Sequence, residues 1–242
     1  MKCVILSATY SKYKLPYFKQ AAASVLAQTH QDFIWQVVLD GCDPEVYTWC
    51  MDTLFYNEGK GDPRVRLWSH PTTHEQRWKG KYRPAVIFNE HMERLTEWHP
   101  AAGFCWLSDD DLLHPRYLEI MSKALERHPV VHCGFRVTEE RCGEHVTKAV
   151  VGSNGIVGKG GRIFHDPLGV LDGGCVMQTA ASFKEVHHPP DDPAVPEGWD
   201  TAHGCDGLYM RKLADKFGIV GVNETLFTKR QTVRSTHSRP QV

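Results

Sequence analysis

The feature that most restricts the fold is an alternation of short apolar runs with amphipathic stretches in the first 137 residues. The runs Cys3–Ala8, Phe33–Leu39 and Phe104–Leu107 each have the length of a buried strand, and each ends at polar residues. Between them lie stretches with apolar residues at helical spacing, such as Phe18–Leu26. Strands that alternate with helices through short turns favour a mostly parallel sheet with helices on both faces. The sequence therefore predicts an α/β fold.

Three adjacent carboxylates, Asp109, Asp110 and Asp111, directly follow Ser108 at the end of one apolar run. Like charges at the end of a buried strand repel one another unless a cation lies close to them. Carboxylate oxygens without a Cys or His pair nearby suit Mg²⁺ or Mn²⁺, and such an ion often also binds phosphate. The other interpretation is a solvated turn in which one Asp caps the helix near Pro115. The buried run before the triplet favours the metal site.

Polar residues also follow the other two predicted strands. Thr9 and Tyr10 come after the first strand, and Asp40 comes after the second. In an open parallel sheet the ligand crevice lies beyond the carboxyl ends of the strands. We therefore expect these residues to lie near the acidic triplet. For Asp40, a turn-forming role before Gly41 agrees equally well with the sequence alone.

Length, charge and cysteine usage narrow the class of protein. The 242 residues are enough for one large core, and we treat 1–242 as a single domain. The formal net charge of −1 gives no global attraction to nucleic acid or to an anionic membrane. Eight scattered cysteines without a Cys-x-x-Cys pair predict free thiols in a cytoplasmic protein. No apolar stretch has the length of a signal peptide core or a membrane span.

Taken in order, several segments resemble the inverting glycosyltransferases of family 2, which have the GT-A fold. These segments are Ile5–Tyr10, Ser24–Phe33, Val37–Cys42, Trp106–Asp111 and Gly173–Met177. Trp106–Asp111 is similar to the family's Asp-x-Asp type metal motif, and Ser24–Phe33 to its Ser-x-Leu-x-Gln-Thr-x-x-Asp-Phe segment. The resemblance covers nearly the whole chain. It implies a GT-A (Rossmann-like) sheet flanked by helices, with a nucleotide-sugar-binding half, 1–137, and a small acceptor-side half, 138–242.

The sequence also departs from the family pattern. Leu39 replaces the first Asp of an Asp-Asp pair, and Cys205 stands where Glu is usual. The segment Gln231–Ser235 lacks the Trp of the Gln-x-x-Arg-Trp motif found in processive, membrane-bound synthases. The resemblance therefore implies a non-processive enzyme.

The resemblance implies a nucleotide diphosphate sugar as donor, with uridine as the base, and a hydroxyl group as acceptor. The residues expected to bind the nucleotide are Thr9, Tyr10, Asp40, Arg83 and Asp109. The residues expected to hold Mn²⁺ or Mg²⁺ are Asp110, Asp111 and His237, although a lone tail histidine is commonly just exposed.

Asp206 is implied to be the general base that deprotonates the acceptor during a direct, inverting displacement. Gly204–Asp206 is predicted to open a helix, where the helix dipole would favour the ionised carboxylate. An N-capping Asp without any chemistry is the alternative at such a position.

Three other functions agree with parts of the sequence. A nucleotidyltransferase shares the α/β core and acidic metal ligands, but usually has a Gly-rich loop and a basic residue after its first strand. Ala8–Ser11 contains no glycine. A catalytically inactive sugar-nucleotide-binding protein is favoured by Leu39 and Cys205. A transferase acting on modified DNA bases is suggested by the basic tail Lys229–Arg239, and the near-neutral charge argues against it.

Overall fold

The computed structural model describes residues 1–55, 61–70, 83–141, 144–152, 156–157, 173–187 and 201–231, without the side chains of 83–85, 141, 156–157 and 201–208. The helices are α1 Leu15–Leu26, α2 Pro44–Trp49, α3 Arg83–Trp98, α4 Tyr117–Leu125, α5 Ala180–Glu185 and α6 Thr201–Phe217. A π-helical turn, Cys50–Phe55, continues α2, and a 3₁₀ turn spans Gly173–Cys175. The strands are β1 Cys3–Thr9, β2 Phe33–Asp40, β3 Val65–His70, β4 Gly103–Trp106, β5 Leu112–Leu113, β6 Val130–Arg141, β7 Glu144–Val151, β8 Ile156–Val157, β9 Val176–Thr179 and β10 Ile219–Gln231.

The described strands form one sheet in the order β3-β2-β1-β4-β9-β6-β10-β5, with β7 paired to β6 and β8 paired to β10. Strands β1 to β4 are parallel, since β1 pairs with β2 and β4, and β2 pairs with β3. The predicted α/β fold is confirmed. The sheet is more mixed than expected, because β9 enters between β4 and β6 and is antiparallel to both.

The apolar residues of helix α1 form a buried face that packs against the sheet. Pro16 lies in its first turn, where the missing backbone N–H costs nothing. The buried face includes Phe18, whose ring lies 5.8 Å from that of Trp35 and 5.7 Å from that of Trp49. Trp35 belongs to β2, which is buried along its whole length. The helix is therefore fixed against the parallel part of the sheet.

The predicted free thiols are confirmed for the cysteines whose side chains are described, which are Cys3, Cys42, Cys50, Cys105, Cys133 and Cys175. Of the described helices, none combines the length and the apolar character needed to cross a bilayer.

The adjacent glycines Gly173 and Gly174 differ sharply in the space around them. A Cβ atom at Gly174 would lie 2.4 Å from Cζ of the Phe227 ring, whereas a Cβ atom at Gly173 would meet nothing within 4 Å. Phe227 is buried in β10, beside Phe135 of β6. The second glycine therefore allows the 3₁₀ turn to approach this aromatic pair closely.

We predict that Gly174→Ala lowers the free energy of unfolding by about 1–3 kcal/mol, because the added methyl group overpacks the core against Phe227. Gly173→Ala is the matched control and should change it by less than about 0.5 kcal/mol. Equilibrium urea denaturation of both variants measures the difference. Equal stability of the two variants would contradict the assigned contact.

Candidate active site

The acidic triplet lies at the carboxyl edge of the parallel strands. Leu6 of β1 pairs with Trp106 of β4, and the Leu107 N–H donates to the Leu6 carbonyl at 3.0 Å. The chain beyond β4 therefore continues beside the end of β1. Asp109, Asp110 and Asp111 are only 4%, 6% and 5% exposed. The alternative of a solvated turn is wrong.

A lysine that the sequence analysis did not identify lies between two of these carboxylates. The Lys14 ammonium donates to Asp109 Oδ1 at 2.9 Å and lies 3.2 Å from Asp110 Oδ2. Its side chain is 18% exposed, so the ammonium lies just below the surface of the edge. Lys14 is the N-cap residue of α1, which places it directly opposite the end of β4. Asp109 and Asp110 are therefore the two carboxylates that share one cation, the Lys14 ammonium.

The pKa values of this cluster follow from burial and charge. Burial raises the pKa of Asp109, Lys14 opposes that rise, and Asp110 adds to it. Burial alone would lower the pKa of Lys14, but the charges of Asp109 and Asp110 outweigh burial and raise it. Lys14 is therefore an ammonium at neutral pH.

Two buried oxygens at this edge form no hydrogen bond of good geometry with the described residues, although the Thr9 hydroxyl lies near enough to Asp109 to lower the pKa of that carboxyl. They are Thr9 Oγ1 and Asp109 Oδ2. Buried polar atoms are nearly always satisfied in native proteins, and an exception calls for an ion, a water molecule or a ligand group. A Thr9 hydroxyl that donates to Asp109 still has lone pairs that can accept a hydrogen bond from a molecule outside the chain.

The third carboxylate has a different partner. Asp111 Oδ1 accepts the backbone N–H of Arg230 at 2.8 Å. The buried Arg230 side chain donates through Nε to the Asp110 carbonyl, through Nη1 to Gln20 Oε1 at 2.5 Å, and through Nη2 to the Tyr17 carbonyl at 3.0 Å. Burial lowers the pKa of Arg230, and the carboxylates of the triplet oppose that change. Arg230 thus joins β10, the triplet and α1.

The Gln-Thr pair at the end of α1 holds the segment that follows the triplet. The buried Gln28 donates from Nε2 to the His114 carbonyl at 2.8 Å and accepts the Leu118 N–H at Oε1 at 3.0 Å. The Thr29 N–H donates to the Pro115 carbonyl at 2.8 Å. These bonds hold both sides of the turn into α4. This part of the motif therefore positions the triplet rather than a ligand.

Asp40 and Tyr10 reach the same edge from the neighbouring strands. Asp40 is buried at the end of β2, with Oδ1 3.9 Å from His70 Nδ1. Gly41 follows with a φ of 54°, so a turn is made there by the residue best suited to it. The Tyr10 carbonyl accepts the Asp43 N–H at 2.8 Å, which ties the loop after β1 to the loop after β2. The structure thus brings Thr9, Tyr10, Asp40 and the triplet to one edge.

For three other predicted site residues, Arg83, Asp206 and His237, the side chain lies outside the described residues. Arg83 begins α3, but its side chain lies outside the described residues, as does the whole of His237. Asp206 lies in the second turn of α6, because that helix begins at Thr201. The expectation that Asp206 opens a helix is wrong. The dipole effect is confined to the first turn, so it no longer supports an ionised Asp206.

The fit of a divalent ion can be judged from the donor atoms. Within the described part of the chain, no three His, Cys, Asp or Glu side chains converge as a ready set of ligands. Mg²⁺ in particular is usually held by one or two carboxylates together with phosphates and waters. Asp109 and Asp110 supply two adjacent carboxylates, a donor set that fits such an ion if the Lys14 ammonium leaves them.

No protein-family model matches the sequence, and no curated protein is similar to it in sequence. Solved structures are similar to it in fold. S. aureus TarS in complex with UDP-GlcNAc has a TM-score of 0.65 at 13% identity, over 100% of this chain and 62% of TarS. The same protein in complex with UDP gives 0.64 at 13% identity, over 96% and 61%. The mannosyltransferase PcManGT from Pyrobaculum calidifontis, in complex with GDP-Man and Mn²⁺, gives 0.59 at 12% identity, over 97% and 58%.

The chain has a glycosyltransferase fold. It is of the GT-A-like type, with a mixed sheet flanked by helices, as the sequence analysis expected. The chain spans about three-fifths of the length of these neighbours.

We predict that Arg230→Met destabilises the protein by about 3–5 kcal/mol, because it removes a buried cation from beside the triplet carboxylates. Arg66→Met is a suitable control, since Arg66 is an exposed residue of β3. Its effect should stay within about 0.5 kcal/mol. Urea denaturation of both variants measures the loss. A similar effect of the two changes would show that Arg230 does not hold the edge together.

Proposed function

We propose that this chain is a non-processive, inverting glycosyltransferase. It moves a sugar from a nucleotide diphosphate donor, with uridine as the base, to a hydroxyl acceptor. The observation that carries the proposal is the buried acidic edge, where Asp40 at the end of β2 and the triplet after β4 lie on either side of Thr9 at the end of β1. The glycosyltransferase fold supports a donor site at this edge, because ligands of open parallel sheets bind beyond the carboxyl ends of the strands.

The nucleoside would lie over the ends of β1 and β2. The Asp40 carboxylate would accept the imide N–H of uracil, a donor group that pairs well with an ionised carboxylate. Tyr10 would contact the base with its ring, and Thr9 and Asp109 would contact the ribose hydroxyls through their side-chain oxygens. Arg83, at the start of α3, would add positive charge near the base or the diphosphate.

Asp109 and Asp110 would hold a divalent ion, Mn²⁺ or Mg²⁺, which when bound neutralises charge on the leaving diphosphate. Asp111 was expected as a further ligand, but it accepts the Arg230 N–H and serves better to position its neighbours. His237 remains a predicted ligand outside the described residues. PcManGT, described in complex with Mn²⁺, supports the use of a divalent ion on this fold.

Asp206 would act as the general base. The acceptor oxygen attacks the anomeric carbon, and its proton passes to the Asp206 carboxylate. The bond between that carbon and the diphosphate oxygen breaks, and its electron pair leaves with the nucleoside diphosphate. A single displacement of this kind inverts the anomeric configuration, through a transition state with oxocarbenium character.

The donor class is tested by thermal unfolding with a panel of nucleotide sugars and Mn²⁺, followed by analysis of products. We expect uridine diphosphate sugars to raise the Tm most, because binding to the folded state alone stabilises it. Turnover should release free nucleoside diphosphate. Release of pyrophosphate would instead indicate nucleotidyl transfer, and stabilisation without turnover against a broad acceptor panel would indicate an inactive binding protein.

The roles of the two carboxylates are tested by Asp206→Asn and Asp110→Asn. Each variant should lose transfer by at least about 100-fold while remaining folded, since general bases and charge-stabilising groups contribute on this order. Asp215→Asn is the control for the first change, because Asp215 lies exposed on the same helix. Near-normal transfer in either variant would remove that residue from the proposed mechanism.

A further inference from the structure

The Lys14 ammonium occupies the position that a divalent ion would need, an observation that rests on the cation role proposed for the triplet. Its Nζ lies 2.9 Å from Asp109 Oδ1 and 3.2 Å from Asp110 Oδ2. Mg²⁺ bound to the same two oxygens would lie about 2.0–2.1 Å from each. The ammonium and an ion cannot both be there, because their volumes overlap and their like charges repel at short range.

The backbone of Lys14 is fixed, so only its side chain can move. The Lys14 N–H donates to the Ser11 carbonyl at 2.9 Å, and its own carbonyl accepts the Tyr17 and Phe18 N–H groups at 3.0 and 2.9 Å. The four-carbon stem of a lysine is flexible and carries a compact, readily hydrated charge. The ammonium can therefore leave the carboxylates while the start of α1 stays in place.

The charges at the edge explain why the ammonium would be exchanged. The three carboxyl groups of the triplet face two cationic side chains, the ammonium of Lys14 and the guanidinium of Arg230. Arg230 is held by contacts to β10, α1 and the Asp110 backbone, whereas the Lys14 ammonium contacts Asp109 and Asp110. A donor diphosphate adds further negative charge. An ion with two positive charges compensates the combined negative charge of the carboxylates and the diphosphate better than an ammonium with one.

We propose that Lys14 is a built-in occupant of the cation site. In the donor-free protein its ammonium pairs with Asp109 and Asp110, and it withdraws when a divalent ion binds to them. Lys14 therefore weakens the binding of free metal ions and keeps the site closed until a donor diphosphate offers the displaced ammonium a new partner. No group is transferred in this exchange, which is a competition between two cations for one pair of carboxylates.

Binding of Mn²⁺ to the full chain, without donor or acceptor, tests the exchange. The electron paramagnetic resonance signal of free Mn²⁺ gives the Kd for the wild type, Lys14→Met, Lys14→Arg and Lys12→Met. Lys14→Met should bind Mn²⁺ at least about tenfold more tightly, because it keeps the bulk and removes the competing charge. Lys14→Arg should not gain affinity. Lys12→Met should match the wild type, since Lys12 is exposed and lies 3.7 Å from Glu45, away from the triplet.

Thermal unfolding with and without Mn²⁺ provides a second test, which also applies if Lys14→Met is unstable. Without Mn²⁺ its Tm should fall below that of the wild type, since two buried carboxylates lose their cation. Added Mn²⁺ should raise the Tm of Lys14→Met more than that of the wild type. If Lys14→Met folds only when Mn²⁺ is present, that result also supports the exchange, because the ion then replaces the missing ammonium. Asp110→Asn in the Lys14→Met background should remove the added affinity.

The inference is overturned if Lys14→Met binds Mn²⁺ no more tightly than the wild type, or if Lys14→Arg gains as much as Lys14→Met. Absence of Mn²⁺ binding in every variant overturns both the exchange and the metal role of the triplet. Sugar transfer is measured separately through release of nucleoside diphosphate. Absence of sugar transfer would contradict the proposed function. If the variants still show the expected order of Mn²⁺ affinities, the exchange remains supported.

Discussion

The buried charges at the end of β4 are the constraint on which the rest of this structure depends. An unpaired buried carboxylate costs several kcal/mol, so three in succession require cations from elsewhere in the chain. Lys14 supplies one from the loop between β1 and α1, and Arg230 supplies the other from β10. The N-terminal and C-terminal parts of the sheet are thereby joined through the site itself. Folding and the geometry of the candidate active site cannot be separated in this molecule.

Hydrogen bonds hold the backbone around the triplet to α1 and β1. Gln28 and Thr29 hold the turn into α4, and the Leu107 N–H continues the ladder with β1. A site that is held in place before the substrate arrives loses little free energy to reorganisation during the reaction. Within this frame the Lys14 side chain has four rotatable carbon–carbon bonds through which its ammonium can move. It is also the group whose movement would open the pair Asp109 and Asp110 to an ion.

The local pattern of the sequence is enough to predict the α/β fold and to bring the residues of the candidate site to one edge of the sheet. Apolar runs that end in Thr9, Asp40 and the triplet place these residues at strand ends, whatever the details of packing. Lys14 and Arg230 could not be predicted in this way, because their partners lie 95 and 120 positions away along the chain. One signal was present for Lys14, a basic residue shortly after the first strand.

Two features of the fold differ from what the sequence predicted. The antiparallel entry of β9 between β4 and β6 depends on pairing partners, which an apolar run does not specify. The start of α6 at Thr201 rather than near Gly204 shows that a glycine inside a helix can be mistaken for its boundary. This second error removed the dipole argument for Asp206, whose proposed role now rests on the resemblance to family 2 enzymes.

The central claim is that the pair Asp109 and Asp110 forms the cation site of a nucleotide-sugar crevice. A crystal structure of the protein with UDP and Mn²⁺, recorded at the manganese absorption edge, tests it most directly. The account predicts an anomalous peak between these two carboxylates and the diphosphate, with the Lys14 ammonium displaced and uracil beside Asp40. Nucleotide bound at another face, or manganese bound elsewhere with Lys14 still between the carboxylates, would contradict it.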